Sequence, residues 1–285
     1  MDLPRRVVAE IDSLARDAVS ELTRRSPRKV VRRAMSRAAP ARRPGMARLQ
    51  MRYRNWRLRQ FLSPVVTAGD RVFDIGANKG EWTSVMRELG AAVVAVEPQE
   101  QCVEQLRQRF RTDSEVQVVD SAVGRTAGTD VLHLAATSSE HASMSDDWRR
   151  AAVEHQRIPE DAWVDAVEVP VTTLDSLIAE FGIPGFCKID VEGLEAEVLA
   201  GLSRALPALS FEFHKEMLQV VERCVEHLSE LGRFRFRIFV DEWPDPVGGE
   251  LAADHLVGAV SQLPPYSWGM ILAQQAGPDP GSKAP

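Results

Sequence analysis

The chain has 285 residues, 44% of them hydrophobic and 27% charged, with a formal net charge of −6. That length and apolar content suit one large α/β domain with an appendage. No stretch approaches the roughly 18 apolar residues of a membrane span and the start carries no compact apolar signal segment, so a cytoplasmic protein is expected.

Charge is split along the chain. Residues 1–60 carry 17 Lys/Arg against 5 Asp/Glu, and the remainder carries 18 against 36. Leu3, Val7, Ile11, Leu14, Ala18 and Leu22 recur at three- and four-residue steps, which predicts an amphipathic helix. Pro27, Pro40 and Pro44 interrupt an Arg-rich stretch, and a helical pattern resumes over Met46–Leu62 before Pro64. A basic, partly helical extension over 1–62 is therefore expected. Two roles suit it: docking on the acidic remainder as a lid or homo-oligomer contact, or peripheral contact with an anionic membrane surface. It has no aromatic-rich basic platform for bases, so no nucleic-acid partner is expected.

Residues 72–97 read VFDIGANKGEWTSVMRELGAAVVAVE: an apolar strand, a glycine-bearing turn, an amphipathic helix and a second strand ending on an acid. This is a βαβ unit with its ligand turn at the carboxyl end of the first strand. A dinucleotide fingerprint starting at Gly76 requires glycine at 78 and 81, where the chain has Asn78 and Glu81. A carboxylate in the first helical turn repels a phosphate. Gly76 and Gly80 still allow close backbone approach, and Asn78 tolerates left-handed geometry, so a side chain at Gly76 is expected to enter the ligand's space. Glu97, 23 residues after Asp74, stands where an acid accepts both ribose hydroxyls. A sulfonium nucleoside without phosphate, S-adenosylmethionine, fits this turn best.

Downstream, strands are predicted at 116–120, 130–135, 166–171, 185–190, 208–213, 234–240 and 267–273, after 71–75 and 92–97. Helices are predicted at 81–89, 99–110, 173–181, 194–204 and 215–231. The alternation implies a mostly parallel sheet with helices on both faces. Thr172 and Asp175 resemble a capping box, and Gly90, Gly182 and Gly232 stop their helices. Residues 137–165 are polar and without a fixed period, as in a substrate-facing insertion. The tail from 276 to 285 is Pro/Gly-rich and expected to be disordered. Cys102, Cys187 and Cys224 form no zinc or redox spacing and read as core residues in a reducing compartment.

Several pieces resemble the FkbM family of S-adenosylmethionine-dependent methyltransferases: DIGANKG at 74–80, VEP at 96–98, VTTLDSL at 171–177 and KIDVEGLEAEVLAGL at 188–202. FEF at 211–213 and WGMILA at 268–273 stand where such proteins place their fifth and last strands. The resemblance spans roughly residues 65–275. It implies a Rossmann-like, seven-stranded methyltransferase domain over 63–275 and O-methylation of a hydroxyl on a small sugar or natural product. Asp74, Gly76, Asn78, Gly80, Glu97, Asp120 and Asp190 are the expected cofactor-binding residues, with Asp120 near the adenine amino group.

Methyl transfer from sulfur proceeds by in-line displacement, and a neutral hydroxyl needs a base or an electrostatic partner. Asp190 and Glu192, beyond the 185–190 strand, suit that edge, although Glu192 could instead cap the following helix and Asp190 order the turn. Glu212 and His214 end the next strand and face the same cleft, and His141 is a further candidate base. Asp190, Glu192, Glu212 and His214 carry donors that suit a hard cation, but their spacing is not compact, so no metal is expected. The rival readings are a non-catalytic binding or scaffold module and an NAD-type oxidoreductase.

Overall fold

The computed structural model describes residues 44–136, 138–155, 158–241 and 245–277. The expected helix from Leu3 to Leu22 and most of the tail from 276 lie outside them. Contacts divide the chain into a unit ending at Arg54 and another running from Asn55. Helix α1 (Pro44–Leu62) crosses that division, and its last turn, Phe61 and Leu62, is buried in the second unit.

In the second unit, strands β1 (Arg71–Ile75), β2 (Ala92–Glu97) and β3 (Val116–Asp120) alternate with helices α2 (Glu81–Glu88) and α3 (Glu100–Arg109). A short β4 (Ala122–Val123), β5 (Gly128–Ala135), helix α4 (Asp146–Glu154) and β6 (Trp163–Thr172) follow. Helix α5 (Leu174–Phe181) leads to β7 (Phe186–Ile189), and α6 (Glu195–Ala200) to β8 (Ala208–His214). Helix α7 (Leu218–Leu231) precedes β9 (Phe234–Val240) and β10 (Val247–Leu251), and α8 (Ala253–Ser261) precedes β11 (Trp268–Gln275).

The main sheet has the order β10-β9-β11-β8-β7-β1-β2-β3. Its β3-β2-β1-β7-β8 segment is parallel, and β11 runs antiparallel to both β8 and β9. This is the expected seven-stranded Rossmann-like frame, with β10 added on one edge. Gly248 and Gly249 hid that edge strand from the sequence pattern, because glycine is poor in strands. Both faces are covered. Phe73, Ile75, Val94, Val96, Ile189 and Phe211 pack in one core, and Val72, Val93, Phe186 and Leu272 pack with Phe61, Val85 and Met86 in another. Strands covered on both faces read as near-continuous apolar runs, which is why β1, β2, β7 and β8 were legible.

Strands β5 and β6 instead pair antiparallel in a separate three-stranded sheet with β4. Their largely exposed residues suit a sheet with one wet face. Two helices were not expected. In α4 only Trp148 and Ala152 are buried, too few contacts to show a helical period, and α8 carries Gly258 in its interior. Helix α5 is capped one residue later than the sequence suggests. Thr173 Oγ1 accepts the Ser176 N–H at 3.1 Å, and Asp175 instead accepts the Ser203 N–H. All three cysteines are buried and free.

Parallel pairing sets Ile75 beside Ile189, so the turns after β1 and β7 run against each other. A Cβ on Gly76, whose φ is +73°, would lie 1.9 Å from the Asp190 carbonyl oxygen. A side chain at Gly76 thus strikes the neighbouring backbone. Gly76→Ala should lower folding stability by more than about 1 kcal/mol, read as a lower urea midpoint. An unchanged midpoint would contradict the close approach.

Candidate active site

The β1 turn is built from left-handed residues, with Gly76, Asn78 and Gly80 at φ 73°, 46° and 77°. It wraps the end of β2, where Glu97 is buried with 3% exposure. Glu97 Oε2 accepts the Asn78 N–H at 2.8 Å and Oε1 accepts the Gln99 N–H at 2.9 Å. Burial raises the Glu97 pKa, and those two backbone donors partly offset the rise. The Gln99 side chain also donates to this carboxylate, which keeps lone-pair capacity for a hydroxyl donor.

Beneath the turn lies a charged network that the sequence reading missed. Lys188, 1% exposed in the middle of β7, donates from Nζ to the Gly76 carbonyl at 2.7 Å. The same ammonium is 3.4 Å from Asp74 Oδ1 and 3.3 Å from Asp190 Oδ2. Asp74 is fully buried, and its Oδ2 accepts from Thr83 Oγ1 at 2.6 Å. Burial alone would lower the Lys188 pKa, but Asp190 and Asp74 outweigh it and hold the group above the ordinary lysine range. The signal was available: a lysine inside the apolar run FCKI.

Past β7 and β8 the structure gathers Asp190, Glu192, Glu212 and His214 at one edge. His214 Nε2 lies 3.1 Å from Glu212 Oε2 and 3.8 Å from Glu192 Oε2. Glu212 and His214 are buried, at 7% and 8% exposure. Glu192 sits at a left-handed φ of 53°. Its turn is tied by Glu195, another residue the sequence reading passed over, whose Oε1 accepts the Val191 and Gly193 N–H groups at 3.2 Å each. Burial is the largest cause of a raised pKa at Glu192, Glu195 and Glu212, and the carboxylates raise one another further. The donor atoms of Glu192, Glu212 and His214 all lie within 4.8 Å of one another, so the fold supplies the compactness that the linear spacing lacks.

Residues 138–155 cover this edge. Ser139 Oγ donates to Asn78 Oδ1 at 3.1 Å, and Gln99 Nε2 donates to the Ser139 carbonyl at 2.9 Å, tying the segment to the cofactor turn. Ser143 Oγ donates to the Glu192 carbonyl at 2.8 Å, tying it to the reaction edge. Trp148, buried in α4, stands edge-on to His214 at 6.2 Å and occupies the space above Gly193, where a Cβ would lie 2.6 Å from its own Cβ. His141 lies 6.5 Å from the Trp148 ring, and burial lowers its pKa. Asp120 ends β3 in register with Glu97, but its side chain is 43% exposed and lies 3.8 Å from Arg107 of α3.

Glu195 offers a test of this electrostatic reading, its pKa being pushed from 4.5 to about 7. Between those values the folded state binds more protons than the unfolded chain, so stability present at low pH is lost as pH rises through the window. Glu195→Gln keeps an acceptor for the turn and removes the buried charge. The variant should exceed wild type by up to about 3 kcal/mol near pH 8 and match it near pH 4.5, measured by urea unfolding. A pH-independent difference would sink the reading.

A model of the methyltransferase FkbM domain matches residues 74–238. No curated protein matches the chain. Among solved structures, a precorrin-6Y C5,15-methyltransferase from Geobacter metallireducens shares 10% identity over 78% of this chain and 86% of its own, with TM-score 0.42. A SAM-dependent O-methyltransferase from Thermotoga maritima shares 13% over 79% and 65%, with TM-score 0.38. A TehB-like SAM-dependent methyltransferase from Corynebacterium glutamicum shares 11% over 77% and 88%, with TM-score 0.40. These distant likenesses say nothing of the acceptor or of residue roles. The family match takes in the β1 turn, the Glu97 strand end and the acidic edge, and covers more than half of the sequence: the chain belongs to the FkbM methyltransferase family.

Proposed function

We propose that the protein uses S-adenosylmethionine to methylate a hydroxyl group of a small sugar or natural product. The observation that carries this reading is the placement of Glu97 and the Glu212–His214 pair along one carboxyl edge of the sheet, with Asp190 between them. The turn suits this cofactor. Glu97 retains lone-pair capacity for a ribose hydroxyl, and Glu81 opening α2 disfavours a pyrophosphate. The crowded carboxylates favour a cationic ligand over an anionic one.

When bound, the cofactor supplies an electrophilic methyl group on a positively charged sulfur. Glu97 and the β1 turn hold its nucleoside. Asp190, 28% exposed at its side chain and ion-paired with Lys188, orients the acceptor hydroxyl as a hydrogen-bond acceptor. The Glu212–His214 pair takes up the hydroxyl proton, the carboxylate stabilising the imidazolium that forms. Trp148 and its segment keep bulk water from the edge.

A second reading rests on the 4.8 Å clustering of Glu192, Glu212 and His214. A divalent cation with bonds of about 2.0–2.4 Å could bridge such donors and activate the hydroxyl itself. Turnover that a chelator abolishes and magnesium restores would favour it; turnover indifferent to both favours the proton-accepting pair.

Calorimetry with S-adenosylhomocysteine and with NAD tests the cofactor directly. Glu97→Ala should weaken S-adenosylhomocysteine binding by about 2–4 kcal/mol. Near-wild-type affinity in a folded variant, or binding of NAD alone, overturns the assignment. Incubating hydroxylated metabolites with labelled cofactor, and following the gain of one methyl group by mass spectrometry, tests the acceptor class and separates an enzyme from a scaffold. With an acceptor in hand, Asp190→Asn should cut kcat by roughly 10²–10⁴ while S-adenosylhomocysteine affinity stays within a few-fold. Intact turnover would move the role to Glu212, His214 or His141.

A further inference from the structure

We propose that Lys188 is a positioning residue that joins cofactor capture to the reaction edge, an inference that rests on the methyl-transfer reading above. A buried lysine is expensive to keep, and one carboxylate would be enough to neutralise it. Lys188 does more than form a pair. Its single ammonium donates to the Gly76 carbonyl in the β1 turn, and lies 3.4 Å from Asp74 behind that turn and 3.3 Å from Asp190 at the acceptor edge. The Trp82 ring, its centroid 5.9 Å from Nζ, flanks the group on the side of α2. Trp82 itself stands edge-on to Phe61, so the ammonium is backed by packed aromatic rings.

The contacts differ in kind, and that makes the role testable. The bond to the Gly76 carbonyl needs only an N–H donor, whereas holding Asp190 as an oriented anion needs a positive charge. A neutral donor at 188 should therefore preserve the turn and lose the edge. Asp74 is a separate carboxylate partner of the ammonium at 3.4 Å, so a chain lacking its charge serves as a common background for testing the other two links.

The experiment compares wild type, Asp74→Asn, Asp74→Asn/Lys188→Gln and Asp74→Asn/Lys188→Met. The Asp74 change keeps each Lys188 variant from burying an unpaired carboxylate. Thermal unfolding, S-adenosylhomocysteine affinity, and kcat and KM for an acceptor found by the methylation screen are measured for each. Asp74→Asn, at a residue expected to take part in cofactor binding, sets the reference affinity and kcat against which the two double variants are read. The glutamine double variant should keep that affinity yet lose about 100-fold in kcat, and the methionine one should lose about tenfold in affinity as well. Equal affinity and equal kcat in all three variants would overturn the proposal, leaving Lys188 as the neutralising partner of Asp74. So would folding of Asp74→Asn combined with unfolding of both double variants, which would make the residue a purely structural one. Absence of S-adenosylhomocysteine binding by wild type is a separate result and overturns the cofactor assignment instead.

Discussion

The parallel pairing of β1 with β7 is the constraint on which the rest of the site depends. In the order β3-β2-β1-β7-β8 this is the place where the chain reverses its direction of travel across the sheet. Loops leaving adjacent strands at such a point diverge to opposite faces and open a crevice between them. Here the two turns also touch, with Gly76 against the Asp190 carbonyl. That contact forbids a side chain at 76, and it puts the cofactor turn and the acceptor edge within reach of one lysine.

Charge burial follows from the same geometry. Asp74 on β1 and Asp190 just past β7 flank Lys188, and their attraction offsets the desolvation of the buried ammonium. Beyond Asp190 the balance shifts. Glu192, Glu195 and Glu212 share a space in which His214 stands at hydrogen-bonding distance from Glu212, and burial first, then their mutual repulsion, raises their pKa values. The edge is thus acidic by architecture, while beneath the turn a single ammonium is shared by two carboxylates.

Much of this was legible in the sequence because two-sided burial writes apolar runs. The runs VFDI, AVVAVE, FCKI and the Phe-rich β8 each located a strand and the polar residue at its end. Glu97, Asp190, Glu212 and His214 were visible for that reason. What was hidden depended on packing between distant segments. Helix α4 buries only Trp148 and Ala152, so no period reveals it, and β10 is masked by its glycines. Lys188 and Glu195 were passed over, because their partners lie across the sheet or on backbone amides. Thr172 matched the capping pattern and Thr173 took the role, since the pattern alone does not fix where a strand ends.

The crowding of carboxylates also links occupancy of the edge to the protons it carries. A group whose pKa is raised by its neighbours' negative charge gives up its proton more readily when a cation arrives beside it. A positively charged species at this edge, whether a sulfonium or a metal ion, would favour the ionised form of these carboxylates. By the same linkage its apparent affinity strengthens as pH rises through the titration of Glu192, Glu195 and Glu212. Proton and cation would then compete for the same few oxygens.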